Sequence, residues 1–527
     1  MSDRTPEHNL NRRSFLQKIG TASAGILLLE AGQPCTSKAA ESTKPNSPKR
    51  GGTFTLARTA GYIDFNPFNL ATGHWASTRS LYSTLAYYDL KLNSQPDLAE
   101  SWKIAEDGRS IGLKLRPGVK FHSGKEFNSE DVRNSAEFAS TDQSVFMRTL
   151  FSSIKQVDTP DKYTAVIRFK SVYPGALDLL DQLWIIDKDA IKNFPNQANG
   201  TGAYKIDKYV PNDRLELVPF KDYWIKDKQY VERYVVRQIP DQGALAMTLE
   251  SGAIDAMWRC SVLDAARLKP QADKYHVTMG APGQGMFDVA ANVKWGPLQH
   301  KKVRQAIAWS VDRARFCRTA MQGLLEPSCL MWPSHTWAYF KDLEGAIGYD
   351  LDRARALLKE AGFDKGFEVE IMTSTNRVYG FKYLAEILQA DLKKIGINAR
   401  VADLEAVQYE SRMNKGDFQL MVHNYGRSNR DPGTMVTAAK AWYTDKEGGW
   451  SHYENPEYDK LRQDLQSTLD PNKRKSICRQ IQLMMLDECF TIVVAPQPTA
   501  WVWHTYVKDL RYDLENSPFV HELWVEK

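Results

Sequence analysis

Nucleophilic, redox or metal chemistry in this chain would have to start from its six cysteines and ten histidines, and their spacing supports none of the three. No Cys-x-x-Cys pair and no His/Cys cluster with zinc spacing occurs, so no metal site is expected. Cys478 and Cys489 share a helical-looking stretch, where eleven residues of helix would hold them roughly 16 Å apart, against the ~5.5 Å of a disulfide. There is no Gly-x-Ser-x-Gly elbow, no glycine-rich phosphate loop ending in Lys-Ser or Lys-Thr, and no His-Glu-x-x-His pair. The common hydrolases and nucleotide users are thereby removed, and no catalytic residue or cofactor is expected. What the chain has in excess is rings: 14 Trp, 23 Tyr and 21 Phe are more than a core of this size needs. Pockets use such rings to sandwich apolar or flat ligands, so the chemistry these residues suit is recognition.

The elements that must position them belong to a large folded chain. Of 527 residues, 43% are hydrophobic, 11% aromatic and 25% charged, which excludes disorder. At roughly 150 residues per folding unit, two or three lobes are expected. Lys plus Arg is 69 against 64 for Asp plus Glu, and a net charge of +5 spread over this length is too dilute for a nucleic-acid partner.

Near the N-terminus, Arg12-Arg13-Ser14-Phe15-Leu16-Gln17-Lys18 is a twin-arginine pattern, followed by the apolar run Ile19 to Leu29 and the small-residue site Ser37-Lys38-Ala39. Basic, apolar and small segments in that order are an export signal. The apolar run has 11 residues, including Gly20 and Gly25, where a membrane-spanning helix needs about 20. Pro34 precedes Cys35, where lipid attachment would need a small residue. A soluble periplasmic protein is the expectation, with residues 1–39 removed and 40–52 a flexible leader. Losing Cys35 leaves Cys260, Cys317, Cys329, Cys478 and Cys489, an odd number, so at least one thiol should stay free.

Strands and helices alternate from Thr53 onward. Asp107-Gly108, between Trp102-Ile104 and the alternating Ile111, Leu113 and Leu115, predicts a hairpin, and Tyr163–Phe169 a further strand. Val303, Ile307, Ser310, Val311, Ala314 and Cys317 recur at helical spacing, predicting one surface helix over 301–318 with Lys301, Lys302, Arg304, Arg313 and Arg315 turned outward. Asp350 should cap a helix that stops at Gly362, Val369–Met372 should be a strand, and a helix over 381–394 should end at Gly396. The strand-like Phe490–Ala495 and Trp501–Tyr506, with no linker before them, suggest a return to the first lobe.

The order of these segments resembles the family 5 extracellular solute-binding proteins of ATP-driven importers, whose members include dipeptide, oligopeptide and nickel-chelate binders. The residues carrying the resemblance begin with Gly51-Gly52-Thr53-Phe54-Thr55, Pro96 through Trp102, and Leu115-Arg116-Pro117-Gly118-Val119-Lys120-Phe121-His122 followed by Phe127 through Val132. Then come Gly200-Thr201-Gly202-Ala203-Tyr204-Lys205, Val303 through Ile307 with Val311-Asp312-Arg313, Ala354 through Gly362-Phe363, and Tyr453-Glu454-Asn455-Pro456-Glu457. The resemblance implies an α/β, two-lobed periplasmic-binding-protein-like fold, large class II, with an extra subdomain in lobe I. It places lobe I at 53–283 and 497–527, the inserted subdomain at about 85–195, and lobe II at 284–496. The lobes would be joined near Pro282–Asp288 and Val494–Thr499, with Gly283 and Gly285 easing rotation. A small-molecule solute, delivered to the membrane permease of the importer by a monomeric binding protein without catalysis, is what it implies for function.

For the solute, peptide-binding members carry an Asp three residues before the acidic member of an acidic-Pro pair; here Asp431-Pro432 puts Ser428 there, so the anchoring charge for a peptide amino terminus is absent. Tyr425 stands where the dipeptide binder has a Trp. Arg427 and Arg430 flank Ser428, and Arg377 lies near where members place a carboxylate-binding Arg. Guanidiniums without a compensating carboxylate favour an anionic ligand; the alternative is that Arg427 and Arg430 are solvated or paired with acidic neighbours. Further pocket candidates in loops that face the cleft of the family are Phe68, His74, Trp75, Trp332, His335, Trp337 and Tyr339. His423 and His74 are the candidates for a chelated metal. A conventional di- or oligopeptide binder and a haem or metal-chelate carrier remain the other readings.

Overall fold

The computed structural model describes residues 47–62, 64–69, 75–142, 144, 148–194, 197–279, 285–375, 377–426, 431–497 and 499–527. The export segment 1–39, most of 40–52, and His74, Gly283, Arg427, Ser428 and Arg430 lie outside the described residues.

Thr53–Arg58 is a strand with core on both sides: Phe54 and Leu56 join one apolar cluster and Ala57 another. Being buried on both faces, it pairs in parallel on both edges, with Arg233–Gln238 and Ala256–Trp258. These belong to a seven-stranded sheet in the order Tyr275–Thr278, Trp501–His504, Ala256–Trp258, Thr53–Arg58, Arg233–Gln238, Arg214–Pro219, Tyr204–Val210. Trp501–His504 is thus laid antiparallel between two strands formed more than 200 residues earlier. A four-stranded antiparallel sheet (Ala99–Ile104, Ser110–Leu115, Thr164–Phe169, Ile154–Asp161) shares the core of the first through Leu113 and Ile167. Its first hairpin turns at Asp107-Gly108, where Gly108 takes φ +63° and the Asp107 carboxylate accepts the Arg109 N–H at 2.9 Å.

The stretch between Gly285 and Gln497 builds a separate five-stranded sheet, ordered Asn398–Asp403, Glu368–Thr373, Leu420–Gly426, Gly285–Ala291, Thr491–Gln497, with its own core. Its helices start and stop where the residue types direct. Asp350 caps Leu351–Glu360 by accepting the Arg353 N–H, and Gly362 ends it at φ +80°. Phe381–Lys394 runs into Gly396 at φ +89°.

The single surface helix expected over 301–318 is corrected. Lys301–Ser310 ends because Val311 is extended (φ −76°, ψ 113°), and Asp312 then caps a second turn, Arg313–Arg315, which passes into a π-helical segment Phe316–Ala320. Two of the five basic residues point inward. Arg304 donates to the Glu488 carboxylate and three backbone carbonyls, and Arg313 to the carbonyls of Val493 and Ala308. The five described cysteines are buried and free. Among the described residues, no helix is long and apolar enough to cross a membrane.

Candidate functional site

The described ends of the two chain passages between the large sheets lie side by side. Thr499 N–H donates to Met279 O at 3.1 Å and Cys260 N–H to Ala500 O at 3.2 Å. The edge of the seven-stranded sheet at these passages carries the carboxyl ends of its parallel strands, because Trp258 pairs with Trp501, the first residue of the returning strand, and Arg58 and Gln238 end the neighbouring strands in register. The five-stranded sheet is oriented likewise: Gly285 pairs with both Gly426 and Gln497, and Gly426 closes one of three parallel strands. Open α/β sheets bind ligands outside such carboxyl ends.

On the first sheet this edge holds two arginines. Arg58 follows the parity of Phe54 and Leu56, so its side chain points to the core-facing side, where it is 1% exposed. Its guanidinium lies 4.1 Å from the centre of the Tyr62 ring, among Tyr62, Tyr209 and Tyr234. Nε and Nη1 have no hydrogen-bond partner among the described residues, and burial pushes the pKa down. Arg259 follows Trp258, on whose ring it rests at 4.6 Å, with the backbone held at φ +54°. Its Nε is also buried and unpartnered among the described residues, and its pKa is pushed down to about 10, by burial first and also by Arg58, with Glu515 opposing. A desolvated cation without a counter-charge costs several kcal/mol, so this arrangement is prepared for an anion. Sequence reasoning missed both residues. The available signal was one charge closing each of two apolar strands, Phe-Thr-Leu-Ala-Arg and Ala-Met-Trp-Arg.

The second sheet supplies Asn424, whose amide donates to Gln497 Oε1 at 2.6 Å, and the buried hydroxyls of Thr373 and Ser374, which have no partner among the described residues. Deeper in it, Asp288 and His423 are opposite each other with Nδ1 and Oδ1 3.5 Å apart; burial raises the Asp288 pKa and lowers that of His423. Among the described residues no group of three His, Cys, Asp or Glu side chains is placed to hold a metal ion.

The residues singled out from the sequence are scattered. Phe68 is fully buried against Phe138 and Phe151, with ring centres 5.9 and 5.7 Å away. Trp75 opens the buried helix Trp75–Leu81. Trp332 is fully buried, and Tyr425 donates its hydroxyl to Met331 O at 2.8 Å while packing edge-on against Trp442. Tyr339 is half-buried against the second core. Trp337 is 38% exposed and stacks under Arg474, which forms a bidentate pair with Asp431 at 2.8 and 2.5 Å. His335 is pushed down to about 4 by burial. Arg377 is 2.7 Å from the Glu410 carboxylate and above the Tyr409 ring, so it is a paired cation. Asp431 also links the two halves, its N–H donating to the Asp178 carboxylate at 3.1 Å. Beside this link lies a groove of about 240 Å3 lined by Ser152, Tyr173, Gly175, Thr434 and Arg474.

The family model described as bacterial extracellular solute-binding proteins, family 5 middle, matches residues 93–446. The chain is 28% identical over 469 residues to the dipeptide-binding protein of Escherichia coli K12, covering 82% of this chain and 86% of that one. It is 25% identical over 525 residues to heme-binding protein A of Haemophilus influenzae, covering 90% and 93%. The solved structure of AgaA from A. tumefacien R10 in complex with agropinic acid superposes with a TM-score of 0.76 at 22% identity, covering 90% of this chain and 99% of that one, a likeness of fold. The chain belongs to family 5 of the bacterial extracellular solute-binding proteins.

Proposed function

We propose that this protein is the solute-capturing component of an ATP-driven importer. It is exported to the periplasm by the twin-arginine route, loses residues 1–39, works as a monomer, and hands a small solute bearing an anionic group to a membrane permease. In this reading 53–283 with 497–527 and 284–496 are the lobes that close on the solute, and 85–195 is the inserted subdomain. The observation that carries it is the shared edge: both large sheets turn the carboxyl ends of parallel strands to the chain passages, and the cations met there on the first sheet have no carboxylate within hydrogen-bond distance among the described residues. The named relatives bind a dipeptide, heme and agropinic acid, so the scaffold suits chemically different solutes and the side chains at this edge decide. Trp75, Trp337 and Tyr339 would supply apolar walls, and Arg427, Ser428 and Arg430 are further candidate contacts of the solute.

A second reading, a di- or oligopeptide binder, is favoured by the identity with the dipeptide-binding protein. Titrating the exported protein with a peptide pool and separately with a pool of small carboxylates and phosphates, following Trp fluorescence, separates the two. Saturable binding of the anion pool supports the first reading; a response to peptides alone supports the second.

A further inference from the structure

We propose that Arg58 and Arg259 form an anion-binding site on the first lobe, taking one carboxylate or phosphate group of the solute; this rests on the solute-binding reading above. The sheet register brings the two side chains together. Leu56 pairs with Ala256 and Ala57 with Met257, so Arg58 falls opposite Trp258 and Arg259 one residue beyond. Paired residues of parallel strands share a face, and Trp258 lies in the same apolar cluster as Phe54 and Leu56. The Arg259 backbone is left-handed, its guanidinium rests over the ring of Trp258, the residue opposite Arg58, and Arg58 acts on it electrostatically. A non-glycine residue held at positive φ is a local strain that tends to mark a binding site.

Nearby carboxylates do not satisfy the pair. Asp213 lines the same crevice as Arg58 but is held by Arg214, and Glu515 raises the Arg259 pKa without outweighing burial. Arg58 Nε and Nη1 and Arg259 Nε, buried and unpartnered among the described residues, are charged donors of the kind that hold a carboxylate or phosphate. The Trp258 ring beneath Arg259 provides a fluorescence reporter.

The test uses the full exported protein, Arg58→Met, Arg259→Gln and the conservative Arg58→Lys. Each is titrated with succinate, inorganic phosphate, the dipeptide Ala-Phe and its C-terminal amide, following Trp fluorescence and Tm. The wild type should bind at least one free-acid or phosphate probe at least tenfold tighter than the amide. Arg58→Met and Arg259→Gln should each lose at least tenfold, and Arg58→Lys should keep part of the preference. Without ligand, Arg58→Met should melt no lower than wild type, because removing an uncompensated buried charge relieves the fold. Unchanged affinity in both variants, or equal binding of acid and amide, overturns the site while leaving the solute-binding reading intact. A ligand-free Tm that drops by more than about 5 °C in both Arg58→Met and Arg259→Gln overturns it too, since that marks a structural cation. A wild-type protein that answers to none of these probes, nor to the peptide and anion pools, counts against the solute-binding reading itself.

Discussion

Arg58 and Arg79 are both buried in the first half of the chain, and their surroundings differ in the way that separates a binding cation from a structural one. Arg79 sits 3.1 Å from Asp97 and 3.2 Å from Asp513, with Thr84 at 2.9 Å, so its charge is matched within the fold. Arg58 has rings around it and open donors. Other buried titratable groups set the pH response. Burial, with Lys228, Arg511 and Arg79 nearby, pushes His521 down to about 3 from 6.5. The unfolded imidazole protonates near 6.5, so between about 6.5 and 3 the unfolded chain binds the extra proton and stability falls as the pH is lowered. Between pH 7 and 5 this one group should remove about 2 kcal/mol of stability. His521→Gln should therefore lose less stability than wild type over that interval in denaturant melts; identical pH slopes would refute the assignment. The site arginines were not legible in advance because reading by neighbouring charge favours charge-rich stretches such as 427–430, while Arg58 and Arg259 each close an apolar strand that reads as core. Arg377 shows the converse: a recognisable position, and in the fold a cation paired with Glu410.

At the scale of elements, the local signals that carried furthest were those with a mechanism in the backbone. The Asp350 cap, the Gly362 and Gly396 stops and the Asp107-Gly108 turn all lie where the residue types direct them. The break at Val311 was hidden because apolar periodicity continues through it; Asp312, an N-cap residue inside the apparent helix, was the signal that could have shown it. Gly200-Thr201-Gly202 makes a further element-level prediction. A Cβ on Gly202 would lie 2.2 Å from Ser80 O and 2.5 Å from the Leu81 carbonyl carbon, against backbone that cannot swing away. Gly202→Ala should cost about 1–3 kcal/mol or more by overpacking. Gly112→Ala, whose Cβ would meet nothing nearer than 3.9 Å, should stay within about 0.5 kcal/mol. Urea melts of the two variants decide it: equal, small effects would mean that the Gly202 segment yields.

At the scale of the molecule, the α/β, two-lobed reading holds, since a sheet that takes in Trp501–His504 and a second sheet made wholly between Gly285 and Gln497 give two cores. The order of segments conveyed this because family 5 proteins share topology through fold punctuation. The solute was less legible, since it depends on side chains that arrive at one edge from strands some 200 residues apart. The most direct test is native mass spectrometry of the protein purified from its own host, beside the Arg58→Met/Arg259→Gln double variant. A small anionic molecule bound one to one on the wild type and missing from the double variant is the predicted result. A neutral or cationic ligand, or an anion retained undiminished by the double variant, would contradict it.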